Sequence, residues 1–423
     1  MQRTFFIFFL LVTLASCQKD QDTETPSVRI TAPTSSSFIR SFEQTLSIQA
    51  DVSDNQSLSR YLITVKGQQT GYTLLSDAAN IDGTSFLLSR SYLLDDVRAP
   101  TDDYLITIRV EDDAGNERSD FQQFQYFGAP RELVNIGVVA SDGNTCNIYV
   151  LSTEFQLVNT LSNPVSAIGF SDYHQELLLG IADQPLIHVI DPETWNVSAT
   201  FGNGTTIADD FVRDFHSDGS KQYVALFDER VIQLNASGQT GINYQLPQNH
   251  RPEEVCSNEN WIICSAKVVG SNQNTLVFFN KQTGVFQGSS NVAFEILGIE
   301  TYEDQFLVVG ENEIGLFNPT TNSYNEQPWL IAGQTVNAIA KANLGFYAIA
   351  HPDGVYHYRF SDGSIIFPSS NMNADDLVFD DLNGVTYALN GSEIQALNWQ
   401  NGEVIASYIA PSNARHLFLH FNK

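Results

Sequence analysis

Four acidic residues, Asp210, Glu254, Glu295 and Asp376, occupy one recurring place in the chain, just ahead of an apolar pair that opens a short strand. Ser166, Asn337 and, close to the C-terminus, His416 take the same place in the remaining copies, and Asp209, Glu253, Asp375 and Arg415 stand beside it. If these strand entries converge around one axis, four carboxylates meet in a narrow opening, where like charges are costly unless a cation compensates them. Hard oxygen donors of this kind favour Ca2+ or Mg2+ over zinc. They would equally attract the cationic part of an organic ligand. The plain alternative is a set of solvated strand entries that keep an acidic surface soluble.

The elements that would bring these residues together form a repeat. The segments NIYVLSTEF, LIHVIDPETW, RVIQLNASG, TLVFFNKQTG, EIGLFNPTTN, GVYHYRFSDG and EIQALNWQNG are each a β-run ending in a turn. Counted at Leu151, Ile190, Leu234, Phe279, Phe317, Tyr358 and Leu397, they are spaced by 39, 44, 45, 38, 41 and 39 residues. Seven copies at this period predict a seven-bladed β-propeller over 132–423 with four strands per blade. The first copy begins with ELVNIGVVAS and lacks an inner strand, whereas the chain ends in ARHLFLHFNK, an inner strand without a blade. Pairing the two would close the ring and remove two sheet edges. The copy NPVSAIGFSDYHQELLLGIADQPLIHVIDPETWNVSATF, with its I-D-x-x-T turn, resembles the repeats of the YVTN or YncE-like propeller family, and that resemblance implies the fold without a substrate.

Other signals are negative or local. The chain has no H-E-x-x-H, no G-x-S-x-G elbow and no phosphate-binding loop, its eight histidines are scattered, and the SDGN and SDGS fragments read as hairpin turns. Around the expected channel mouth, Arg251 and Trp329 are candidates for anion pairing or stacking on a ligand, with Asp183, Asp228, His250, His351, Tyr173 and Arg415 nearby. Cys256 and Cys264 flank Asn260 symmetrically in VCSNENWIIC, so a hairpin could face them across two strands as a disulfide, or they could be two small buried residues. Lys and Arg number 21 against 49 Asp and Glu, a net charge of −28, which argues against a nucleic-acid partner.

Residues 26–128 carry alternating runs such as LSIQADV, RYLITVKG and YLITIRVEDDAGN, which predict a β-sandwich of about seven strands. They resemble the immunoglobulin-like modules of Bacteroidota lipoproteins. Asp51, Asp54, Asp112 and Asp113 are read there as turn residues in preference to calcium ligands. Ahead of the sandwich, an apolar run of about ten residues from Phe5 to Leu14 follows Arg3, as in a secretory leader, and is too short to span a membrane. Leu14, Ala15, Ser16 and Cys17 resemble a bacterial lipobox, which implies a signal peptide over 1–16 and acylation of Cys17. The polar run 17–25 would be a tether, and its acidic residues resemble the export signal of Bacteroidota surface lipoproteins.

These resemblances imply a non-enzymatic, lipid-anchored outer-membrane protein on the cell surface. It would capture a small-molecule or cationic ligand and work with a TonB-dependent β-barrel transporter. A scaffold or adhesion subunit of an outer-membrane assembly is the second expectation, and a propeller enzyme the third.

Overall fold

The computed structural model describes residues 22–422, except 35–36, 42–44, 97, 143–144, 183, 203–210, 220, 236–239, 272, 328–334 and 344, and it describes no side chains at 141–142, 145, 343 and 366–370. Every regular element among the described residues is a strand. The chain divides into two compact units between Pro130 and Arg131.

In the first unit, eight strands form two sheets of three and five strands. Strand Thr45–Ser53 alternates exposed and buried residues without a break, and Asp102–Asp112 does so nearly as strictly, because each sheet turns one face to a common core and one to water. Leu46, Ile48, Ile63, Val65, Tyr104, Ile106 and Ile108 meet in that core with no exposed surface.

The second unit is a series of seven four-stranded antiparallel sheets among the described residues. Sheets two to seven are each built from consecutive strands; the first takes three from its own start and the last strand of the chain, Ala414–Phe421, which pairs with Leu133–Asp142. The innermost strands, from the first sheet to the seventh, are Ala414–Phe421, Val165–Ser171, Val212–Asp218, His250–Ser257, Ile296–Tyr302, Ala338–Asn343 and Asp376–Asp380. Each touches the next, and the circuit closes between the first and second sheets.

Burial explains the sequence pattern. The second strand of a sheet is packed on both faces, so ELLLGI, KQYVAL, QFLVVG and FYAIAH are continuous apolar runs and not alternating ones. Seven apolar clusters, one in each seam between neighbouring sheets, complete the circuit. The outermost strands, such as Asn196–Gly202, are largely exposed. The turns that precede them are set by Asp or Asn side chains: Asp191, Asn280, Asn318 and Asn398 each accept a backbone N–H from within their own turn.

Candidate functional site

The innermost strand of each sheet has only one ladder partner, so its outer backbone edge and side chains face the centre of the circuit. One extra residue enters five of these strands near their start: the pairing skips Ser166, Arg213, Glu253, Leu297 and Arg415. A bulge of this kind twists the strand and re-aims the following side chain. A cavity of about 370 Å³ opens here, and Ser166, Arg213, Asp214, Glu253, Glu254, Lys267, Glu295, Asp376 and His416 are among its lining residues.

Several of these groups tie one sheet to the next. The Ser166 hydroxyl donates to the Val212 carbonyl at 2.9 Å. Asp214 accepts the Val255 N–H at 2.9 Å, and Asp376 accepts the Leu417 N–H at 2.7 Å. Each side chain thereby satisfies a backbone group that no ladder reaches. Glu295 at the rim is exposed and pairs with Lys267 at 2.8 Å. Glu254 is different: its carboxyl has no hydrogen-bond donor among the described residues.

The electrostatics follow from this division. Burial pushes the Glu254 carboxyl up to about 8, and Asp214, Glu300 and Glu253 push in the same direction with no donor to oppose them. Burial also raises Asp376 to about 7 and Asp214 to about 6, moderated by the backbone N–H groups they accept. Further along, burial raises Glu300 to about 7 against the pull of Lys341. His416 lies 3.9 Å from Asp376, and burial together with Arg415 lowers its pKa.

Glu254, Glu295, Asp376, His416 and Ser166 line one cavity, while Asn337 is drawn aside to Asn373 at 2.5 Å. Asp210, Asp209, Asp183 and Trp329 lie outside the described residues. In the third sheet Asp214, four residues beyond Asp210, lines the cavity, and sequence reasoning missed it; the signal was the bulge at Arg213, invisible to an alignment on apolar pairs. Arg251 stacks on the Phe227 ring at 4.1 Å, Arg415 is exposed at its bulge, and His351 is fully buried between the Thr335 carbonyl and the Tyr358 hydroxyl.

The disulfide reading is corrected. Cys256 and Cys264 are free and buried, because the hairpin pairs Cys256 with Ile263 and Val255 with Cys264. The loop holds an even number of residues, so the cysteines fall on opposite faces of the sheet and enter different apolar clusters. Of the four carboxylates expected to hold a metal, Glu254, Glu295 and Asp376 do not converge, and Asp210 lies outside the described residues. Among the described residues, the one group of three ligand atoms lying within 4.8 Å of one another is Asp22, Asp54 and Asp112 in the first unit, and Glu254, Glu295 and Asp376 make no such group. Direct binding of one Ca2+ at about 2.3–2.6 Å to each oxygen needs that convergence. In the first unit, Asp54 accepts the N–H groups of Gln56 and Ser57 and Asp112 that of Asn116, the turn chemistry their sequence context implies.

No helix among the described residues is long and apolar enough to cross a membrane. No protein-family model matches the chain, and no curated protein matches it. A solved structure with some likeness is the computationally designed Ika8 protein, at a TM-score of 0.49 and 13% identity over 67% of this chain and 89% of that one, a level that carries no argument about function.

Proposed function

We propose that the chain is a lipid-anchored binding protein of a bacterial outer membrane, in which an immunoglobulin-like sandwich precedes a seven-bladed propeller that captures a small ligand at its centre. The observation that carries this reading is the central cavity with Glu254 in it, a carboxyl without a donor among the described residues, whereas Asp214, Glu295 and Asp376 beside it are engaged. A polar group held in that state at the middle of a rigid ring is a site prepared for something that brings its own donors. The closed circuit of sheets supports the propeller reading, and the two-sheet core of the first unit supports the sandwich. Acylation at Cys17, display on the cell surface and partnership with a TonB-dependent transporter rest on the lipobox and tether residues. The chemistry proposed is capture, without a catalytic step.

A protein-docking reading has its own support. The outermost strands of the neighbouring first and seventh sheets expose Leu157, Val158, Val404, Ile405 and Ile409 beside unpaired strand edges. Purification of the lipidated protein from its own outer membrane in mild detergent, with mass spectrometry of its companions, separates the two. Stoichiometric recovery of a TonB-dependent barrel supports capture and delivery; recovery with other envelope proteins supports the scaffold.

A further inference from the structure

We infer that the central cavity takes a small zwitterion, with the ligand's ammonium on Glu254 and its carboxylate on Arg213. The inference rests on the capture reading above and names the class of ligand.

The lining residues divide by what they already do. Asp214 and Asp376 hold backbone N–H groups of the next sheet, Ser166 holds a carbonyl, and Glu295 and Lys267 hold each other. Those groups are committed to joining sheets or neutralising the rim. Among the described lining residues, the side chains of Glu253, Glu254 and Arg213 are left without a hydrogen bond or ion pair to another residue. Glu254 has no donor, and the groups that face it, Asp214, Glu300 and Glu253, are all acidic. Arg213, the bulged residue of the neighbouring sheet, lies with its guanidinium 5.3 Å from the centre of the Phe227 ring; its buried Nε has no hydrogen-bond partner, and no ion pair joins it to another described residue.

A buried N–H without an acceptor is costly, and a carboxylate without a donor more so. The two are not paired with each other, so one molecule bearing both charges satisfies both. The alternatives fit less well. The described residues of the cavity offer a metal ion no three convergent oxygens. A diamine brings a cation to Glu254 and a second to Arg213, which already has Lys267 for a neighbour. A dicarboxylate meets the acidic wall. At about 370 Å³ the cavity is at the small end of ligand sites, suited to an amino acid or a short amino carboxylate.

Isothermal titration calorimetry on the full-length protein in mild detergent tests this with four probe sets: ω-amino carboxylates from glycine to 6-aminohexanoate, 1,4-diaminobutane, succinate, and Ca2+. The expected result is one site for at least one ω-amino carboxylate, weakened at least tenfold by Glu254→Gln and at least tenfold by Arg213→Gln. Arg213→Lys should recover part of the loss, since it returns the charge. Glu254→Gln replaces a carboxyl that burial holds largely protonated at neutral pH with a neutral amide of the same shape and should fold about as well as the parent, so loss of binding there is not loss of fold. Binding of the diamine or of Ca2+, sensitive to Glu254→Gln and indifferent to Arg213→Gln, overturns the zwitterion and leaves the capture reading standing. No binding by any of the four sets overturns the zwitterion and removes the cavity as the support for capture.

Discussion

The strand Val212–Asp218 carries a carboxylate near each end, and the two are in opposite electrostatic states. Asp214, beside Glu254 in the central cavity, is raised to about 6 by burial, with only backbone N–H groups to moderate it. Asp218 feels burial too, but hydrogen bonds from Lys281 and Ser257 outweigh it and hold its pKa below the ordinary range. Lys281 is itself buried, and its ammonium also reaches the Asn258 carbonyl at 2.5 Å. Between the two ends, burial lowers His216 to about 4, leaving a neutral ring that accepts the Ser257 N–H at 3.1 Å. The protein therefore compensates charge where it needs structure, at the Lys281 end. At the Glu254 end the compensation is missing, and that is where a ligand can supply it.

The largest effect should come from removing the compensation. Lys281→Met strips Asp218 of its cation; breaking a fully buried pair costs roughly 3–5 kcal/mol, and the water that still reaches Asp218 should bring this to about 2 kcal/mol. Denaturant unfolding measures the loss, and adding Asp218→Asn should restore part of it. An unchanged stability in Lys281→Met would mean that the two ends of the strand do not differ as described.

Next in size is Asp376→Ala, which leaves the Leu417 N–H of the closing strand without its acceptor and should cost about 1–3 kcal/mol. Hydrogen exchange should then quicken in Ala414–Phe421 before it does elsewhere. Asp376→Asn, which keeps an acceptor oxygen, should lose much less.

The smallest effect concerns pH. Glu254, Asp376, Glu300 and Asp214 all have folded values above their ordinary ones, so the folded state holds extra protons between the ordinary carboxylate range and about 8. Their contribution is fully present below that range and is lost as pH rises through 6 to 8. The melting temperature should fall by a few degrees from pH 5.5 to 8.5, and Glu254→Gln should make the decline shallower. Cation binding at Glu254 needs the ionised carboxyl, so ligand affinity should move the opposite way, rising up to about pH 8.

The sheets were legible in the sequence and the cavity was legible in part, for physical reasons. A strand packed on both faces must be apolar throughout, so WIICSA and FLVVGE announce themselves, and the Asx turns follow at a fixed offset. Inner strands are half-buried and bulged, and one inserted residue turns every later side chain to the other face. This is why Glu254 and Asp376, read as strand entries, line the cavity, while Asp214 was overlooked. The cysteine pair failed by the same rule, since an even loop and an odd one differ by half a residue at the hairpin centre and by a whole face for Cys264. Whether carboxylates on a ring come within 4.8 Å of one another is set by ring size and side-chain direction, which spacing along the chain does not encode.

On the capture reading, Glu254 has no partner among the described residues until a ligand arrives. Carbon-13 NMR of glutamate labelled at the side-chain carboxyl, with the Glu254 signal assigned by its absence in Glu254→Gln, measures this directly. The account predicts that Glu254 titrates near 8 in the free protein and well below that when an ω-amino carboxylate is bound. A titration in the ordinary glutamate range, the same with and without the amino carboxylates, would contradict it.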